Sequence, residues 1–294
     1  MRVVADDASV ASALADVLVA RVEHLERRWS RFNPDSEVSR VNAAGGRPVA
    51  VSDDTALLVA TMVEASQLTA GRYDPTLLDA LRDVGYGDTW DPDRRFVEDA
   101  SVESTHRGHG CGGIHVDLDT GVVEMAPGVA IEPGGIGKGL AGDLLVADAV
   151  AGGASGVMID LGGDVRVHGD AGDGPGWLVA IEDPHERGRD LAAVEIETGA
   201  VCTSSRLLRR WFTHTGPAHH LLDPATGRPV DGELDAVTVV AGTGWWAEAL
   251  TKAVFVAGLP DAVDLIRESG CSAALVTASG EVVRTGDLLM EEVA

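Results

Sequence analysis

Glycine fills four of the six positions from Gly134 to Gly139, and Lys138 is the charged residue among them. Without a Cβ, a backbone can approach another group closely. Ala141, Leu144, Leu145, Ala147 and Val150 then recur at helical spacing, so the run reads as a loop feeding a helix N-terminus. Such a terminus offers amide hydrogens and a partial positive charge, which suits a phosphate. Gly139 stands where a Walker loop has Ser or Thr after its lysine. The short Ala130-Ile131-Glu132-Pro133 before the run closes on proline, unlike the strand that precedes a Rossmann fingerprint. A loop that only packs the helix start is the alternative. Asp143 lies in the first turns after Lys138 and can pair with it.

Histidines are the second chemical resource. His219 and His220 precede Leu221-Leu222-Asp223-Pro224-Ala225-Thr226-Gly227, a turn sequence that Asp223 can cap. Histidine titrates near neutral pH and can take a proton from a hydroxyl. Hydroxyls recur at Thr203-Ser204-Ser205, and the chain's two tyrosines are Tyr73 and Tyr86, whose rings can stack on another ring.

The elements that must position these groups are mixed. Helices are predicted over 9–32, with Leu14, Val17, Leu18, Val22, Leu25 and Trp29 as the apolar stripe, over 53–70 behind Ser52 or Asp53, and over 245–257. Ile114–Leu118 and Val122–Met125 flank the hairpin signal Asp119-Thr120-Gly121. Gly156–Leu161 reads as a buried strand ending in the turn Gly162-Gly163-Asp164, with further strands near 177–182, 191–197 and 236–241 and a last hairpin around Ser279-Gly280. Residues 33–36 read as a turn, and 87–113 as an irregular surface excursion. The 294 residues are read as one unit, and a hydrophobic content of 45% marks it globular. A net charge of −24 disfavours nucleic acid and anionic membrane surfaces, and no apolar stretch is long enough to span a bilayer. Cys111, Cys202 and Cys271 lie far apart, which fits a reducing compartment, and cytoplasmic is the expectation.

Five segments in order carry a family resemblance: Arg31–Asn42; Tyr73-Asp74-Pro75-Thr76; Gly134–Gly139 with Asp143; Asp160–Asp164; and His219–Gly227. Together they resemble the FAD:protein FMN transferases, the ApbE-like flavin transferases, over roughly residues 20–260. The resemblance implies an α+β fold of antiparallel and mixed sheets flanked by helices. It also implies FAD as substrate, a divalent cation, usually magnesium, and transfer of FMN to a Thr or Ser of a target flavoprotein with release of AMP. Mapped onto this chain, it implies Lys138, Gly134 and Gly135 on the pyrophosphate, His220 as base, and Asn42, Tyr73, Asp74, Asp143, Thr203, Ser204 and Asp223 around the cofactor. Tyr86 and Ser36 resemble further site positions.

Two departures matter. The family's metal motif, Ala-Asp-Ala-Leu-x-Thr, reads Ala247-Glu248-Ala249-Leu250-Thr251-Lys252 here. Glu248 with the Gly137 carbonyl can still offer oxygens to a hard cation. Lys252 cannot, because an ammonium has no lone pair; it can instead supply positive charge to the phosphates, or simply pair with Glu248 one turn away. The family also usually opens with a Met-Gly-Thr strand, and this chain starts after that point. Three functions stay open: FMN transfer, hydrolysis of FAD to FMN and AMP, and FAD binding without chemistry.

Overall fold

The computed structural model describes residues 1–174, 176–286 and 290–291. In chain order it runs β1 (Arg2–Val4), α1 (Ala8–Trp29), α2 (Glu37–Asn42), β2 (Val49–Ala50), α3 (Asp53–Leu68), α4 (Leu78–Asp83), β3 (Ile114–Asp117) and β4 (Val122–Met125). The glycine run follows as a 3₁₀ turn over Pro133–Gly135 and the start of α5 (Gly137–Ala151). Then come β5 (Gly156–Asp160), β6 (Val165–Gly169), β7 (Trp177–Glu182), β8 (Asp190–Ile196), β9 (Gly199–Ser205), β10 (Arg210–Thr213) and β11 (Gly216–His219). β12 (Leu234–Ala241), α6 (Gly244–Ala257), α7 (Leu259–Glu268), β13 (Ser272–Thr277), β14 (Val282–Thr285) and β15 (Met290–Glu291) close the list.

Seven strands form the main sheet, in the order β1-β5-β6-β9-β12-β13-β14. Among the described residues every ladder is antiparallel, so the fold is α+β; the one parallel pairing is a single bridge between Phe96 and Phe212. The antiparallel sheets that the resemblance implies are formed, and among the described residues none of them carries a parallel ladder. β12 is a near-continuous apolar run because both its faces are covered. Val237 and Val239 pack with Leu250 and Val254 of α6, while Val240 lies against Ile181 of β7 and Val194 of β8. α5 and α6 thus lie on one face of the main sheet and the small β7–β8 layer on the other.

Helix faces differ in detail from the sequence reading. In α1 the buried side chains are Leu18, Leu25 and Trp29, and Val17 points to solvent at 61% exposure. In α5 the buried face is Gly139, Leu140, Ala141, Gly142, Leu145, Val146 and Ala149, while Ala147 and Val150 are exposed. Gly139 explains the rotation. A Cβ there would collide with the Gly244 carbonyl, so α5 turns its glycine edge to the start of α6 and the two backbones touch.

The turn after Phe32 is real, but it hands over at once to α2. Ser36 caps that helix by accepting the Ser39 amide hydrogen at 3.0 Å. Residues 87–113 are irregular yet not wholly superficial: Val97 and Ala100 are buried against Trp211, Ala218 and Leu222.

Candidate active site

Asp143 holds two helices together. It pairs with Arg166 at 2.7 Å and accepts the amide hydrogens of Gly244 and Trp245 at 2.9 and 3.0 Å, capping the N-terminus of α6. That cap fixes the phase of α6 and turns Glu248, fully buried, onto α5. Glu248 Oε1 accepts from Lys138 Nζ at 2.8 Å and from Lys252 Nζ at 3.3 Å, and its Oε2 accepts the Gly139 amide hydrogen at 2.8 Å.

Lys138 Nζ also pairs with Asp164, at the end of the Leu161-Gly162-Gly163-Asp164 turn. Gly162 and Gly163 both have positive φ, 69° and 90°, as a type I′ hairpin turn requires, which is why two glycines occur there. The other Asp164 oxygen accepts the Thr203 amide hydrogen at 3.2 Å. Burial alone would raise the Glu248 carboxyl, but the charges of Lys138 and Lys252 overcome it and hold it well below the ordinary carboxylate range. For Lys138, burial disfavours the ammonium, and Glu248 and Asp164 outweigh that and raise it.

Above this cluster opens a cleft of about 670 Å³, within the range of small-molecule sites. Gly134, Gly135, Gly137, Lys138, Gly162 and Lys252 line one end. By position, the amides of Gly137 and Lys138 in the first turn of α5 have no intrahelical acceptor. Trp29, Phe32, Tyr73, Tyr86, Trp90, Arg31, Arg209 and His220 line the rest. The Arg31 guanidinium lies 4.2 Å from the Phe32 ring centre and 4.8 Å from that of Tyr86, and pairs with Glu132 at 3.3 Å. Glu132 in turn accepts the Gly134 amide hydrogen at 2.9 Å, shaping the glycine turn.

Four cleft-lining residues carry a buried polar atom with no hydrogen-bond partner: Trp29 Nε1, Arg31 Nε, Tyr73 Oη and His220 Nδ1, of which only Arg31 Nε has an ion-pair contact, with Glu132. Buried polar atoms are normally satisfied, so orphans gathered on residues that line one cleft mark it as a ligand site. Burial holds the His220 imidazole neutral, its pKa pushed well below the ordinary value, with Arg209, His219 and Lys252 adding to that shift. Burial, with Glu248 and Glu132 nearby, raises the Tyr73 phenol.

A model of the ApbE family matches residues 1–276. The chain belongs to the ApbE family. The FAD:protein FMN transferase of Haemophilus influenzae is 26% identical, covering 95% of this chain and 84% of that protein. The one from Rhodobacter capsulatus is 30% identical over 96% of this chain and 54% of its own length. The crystal structure of the ApbE protein of Thermotoga maritima superposes with a TM-score of 0.82 at 26% identity, covering 94% of this chain and 89% of that one. The flavin transferase ApbE of Vibrio cholerae, 22% identical, shares the fold with a TM-score of 0.77 over 96% and 90% of the two chains.

Within this ApbE fold the residues singled out from sequence separate into two groups. Tyr73, Asp74, Tyr86, Gly134, Gly135, Gly137, Lys138, His220 and Lys252 meet at the cleft. The others hold structure. Asn42 brackets Ile131, donating to its carbonyl at 2.9 Å and accepting from its amide at 2.8 Å, and so steadies the strand-like entry to the glycine turn. Asp143 caps α6 and does not bond Lys138. Thr203 Oγ1 bonds Thr238 at 2.9 Å across the β9–β12 ladder, and buried Ser204 bonds Thr251 at 2.7 Å. Asp223 accepts from the Ala225 amide and the Thr226 hydroxyl within its own turn, at 2.9 and 3.1 Å. Lys138 reaches the cleft with its ammonium paired to Asp164 and Glu248, which leaves one of its three N–H donors for a phosphate. Glu248 sits beneath the cleft and is not one of its lining residues.

The adjacent histidines are told apart by their bonds. His219 Nε2 lies 3.1 Å from the Val230 carbonyl and its Nδ1 accepts the Leu221 amide hydrogen at 3.2 Å, so it is a brace; His220 faces the cleft. From sequence Trp29 belongs to a core stripe, Asp164 only to a turn motif, and Trp90 and Arg209 carry no signal. The Arg31-Phe32 pair just after α1 is the signal that could have drawn Trp29 into the site.

Proposed function

We infer that this chain is an FAD:protein FMN transferase, moving FMN from FAD onto a Thr or Ser hydroxyl of a target flavoprotein. One observation carries the reading: Trp29, Tyr73 and His220, each with an unpartnered buried polar atom, line the same cleft as the glycine turn and the α5 N-terminus. A dinucleotide offers that cleft what each end needs, aromatic rings for its walls and a diphosphate for the glycine end.

In the step, the acceptor hydroxyl oxygen bonds to the FMN phosphorus. The bond from that phosphorus to the bridging oxygen breaks, and AMP leaves with the bridging oxygen. The hydroxyl proton passes to neutral His220 at Nδ1. The amides of Gly137 and Lys138 stabilise charge on the phosphate oxygens, and Tyr73 Oη donates into the same end of the cleft.

Magnesium, implied by resemblance through Glu248 and the Gly137 carbonyl, has no fitting donor set here. Both Glu248 oxygens already accept N–H donors, two of them ammonium groups, so a cation at that carboxylate would sit against two like charges. No group of three or more His, Cys, Asp or Glu side chains able to hold a metal occurs among the described residues. A cytoplasmic location is proposed on the three free cysteines; among the described residues no helix is long and apolar enough to cross a membrane.

The test is incubation with FAD and a flavoprotein acceptor carrying a candidate Thr or Ser, read by in-gel flavin fluorescence and AMP release. Acceptor-dependent labelling with AMP supports transfer. Free FMN and AMP without labelling make the chain a hydrolase, and bound intact FAD with neither product makes it a carrier.

A further inference from the structure

Lys252 lies at the glycine end of the cleft, half-hidden, and contacts Glu248 at 3.3 Å. An ammonium has three N–H donors, and this contact takes up one. Lys138 sits behind it, already held by Glu248 and Asp164. A Cβ on Gly135 would stand 3.8 Å from Lys252 Cε and 2.9 Å from the Tyr73 ring, so the lysine stem runs directly under the glycine turn. We propose that Lys252 occupies the place of a divalent cation in this protein and holds the FAD diphosphate with its ammonium, making FAD binding independent of metal. The proposal rests on the FAD reading above and adds to it how the phosphate charge is met.

The physics favours this arrangement over a metal beside the lysine. Lys252 and Lys138 balance Glu248 and Asp164, so the cluster is neutral and closed before any ligand arrives. A divalent cation bound at Glu248 would have to displace at least one ammonium from a buried carboxylate and remain within a few ångströms of it. The lysine needs only to turn its remaining donors to a phosphate oxygen. Lysine is a point-charge phosphate binder of the kind used in nucleotide sites.

The experiment uses the whole chain stripped with chelator. FAD binding is followed by quenching of flavin fluorescence, once in EDTA and once in excess MgCl₂. Dissociation constants within about twofold of each other support the proposal; binding weaker by about tenfold or more in EDTA overturns it. Lys252→Thr, checked for folding by circular dichroism, is expected to lose about tenfold or more in EDTA and to recover with magnesium, and Lys252→Arg to bind without metal. Wild-type affinity of Lys252→Thr in EDTA overturns the role given to Lys252. Manganese provides a second readout that needs no variant. Its free-ion electron paramagnetic resonance signal should survive addition of protein plus FAD beyond what FAD alone removes, and stoichiometric loss of that signal overturns the proposal. FAD binding without metal but no acceptor labelling overturns the transferase reading and leaves this inference standing. No FAD binding in either buffer overturns both.

Discussion

On the floor of the cleft Lys138, Asp164, Glu248 and Lys252 close on one another, whereas along its walls Trp29, Tyr73 and His220 each present a buried polar atom to nothing in the chain. The floor is a finished structure: breaking it costs stability. The walls are unfinished, and the cost of their orphaned atoms is recovered only when a ligand supplies partners. Mutations of Asp164 and Glu248 should therefore be read in unfolding experiments, mutations on the walls in binding and turnover, and mutations of Lys252, which belongs to the floor and also lines the cleft, in both.

The largest effect is expected on the walls. His220→Gln should slow acceptor labelling by about 10²–10⁴-fold in single-turnover assays, the range of a lost general base, while His219→Gln should change it only a few-fold; equal losses from both would erase the distinction drawn between them. On the floor, Glu248→Gln leaves buried ammonium charge uncompensated and should cost about 3 kcal/mol in urea unfolding. Gly139→Ala forces a methyl into the α5–α6 contact and should cost about 2 kcal/mol. Gly137→Ala, two residues earlier, meets only the Pro133 Cβ at 3.6 Å and should leave stability unchanged or slightly raised.

Acid should separate the regions as well. Burial pushes His219 down to about 4 from an ordinary 6.5, and His220 moves the same way. Between those values the unfolded chain holds a proton that the folded chain lacks. Stability contributed by the neutral His219 imidazole is therefore complete above pH 6.5 and is lost as pH falls toward 4, at up to about 1.4 kcal/mol per pH unit, and His220 adds a loss of the same sign. Urea titrations at pH 7, 6 and 5 check this, and His219→Gln should flatten the slope. The smallest effect sharpens the contrast most. Tyr73→Phe removes an unsatisfied hydroxyl, so stability should hold or rise slightly, while FAD affinity falls about three- to tenfold, the worth of one hydrogen bond.

How far the site was legible in the sequence varies residue by residue. The glycine run and the Gly162-Gly163 turn are readable because each depends on backbone freedom, whereas His220 is told from His219 in the sequence only through the family pattern. The resemblance puts Asn42, Asp143, Thr203, Ser204 and Asp223 around the cofactor, and polar residues in a motif look the same whether they bind a ligand or a backbone amide. Their partners, Ile131, the α6 terminus, Thr238, Thr251 and the turn at 225–226, lie in other segments or at the turn itself, and only the fold chooses between the two uses.

What the sequence by itself determined is local: α1, α3, α5 and α6 from apolar spacing, the hairpins from their glycine turns, and a chemistry of phosphate, hydroxyl and imidazole. Only the tertiary structure decided which atoms stay unpaired and which charges cancel. Lys138 and Glu248 are more than a hundred residues apart and meet because the Asp143 cap and the Gly139–Gly244 contact set α6 against α5 in one phase. Electrostatics and hydrogen bonding act over a few ångströms of space, and periodicity along a chain carries no record of which distant segment will fill them.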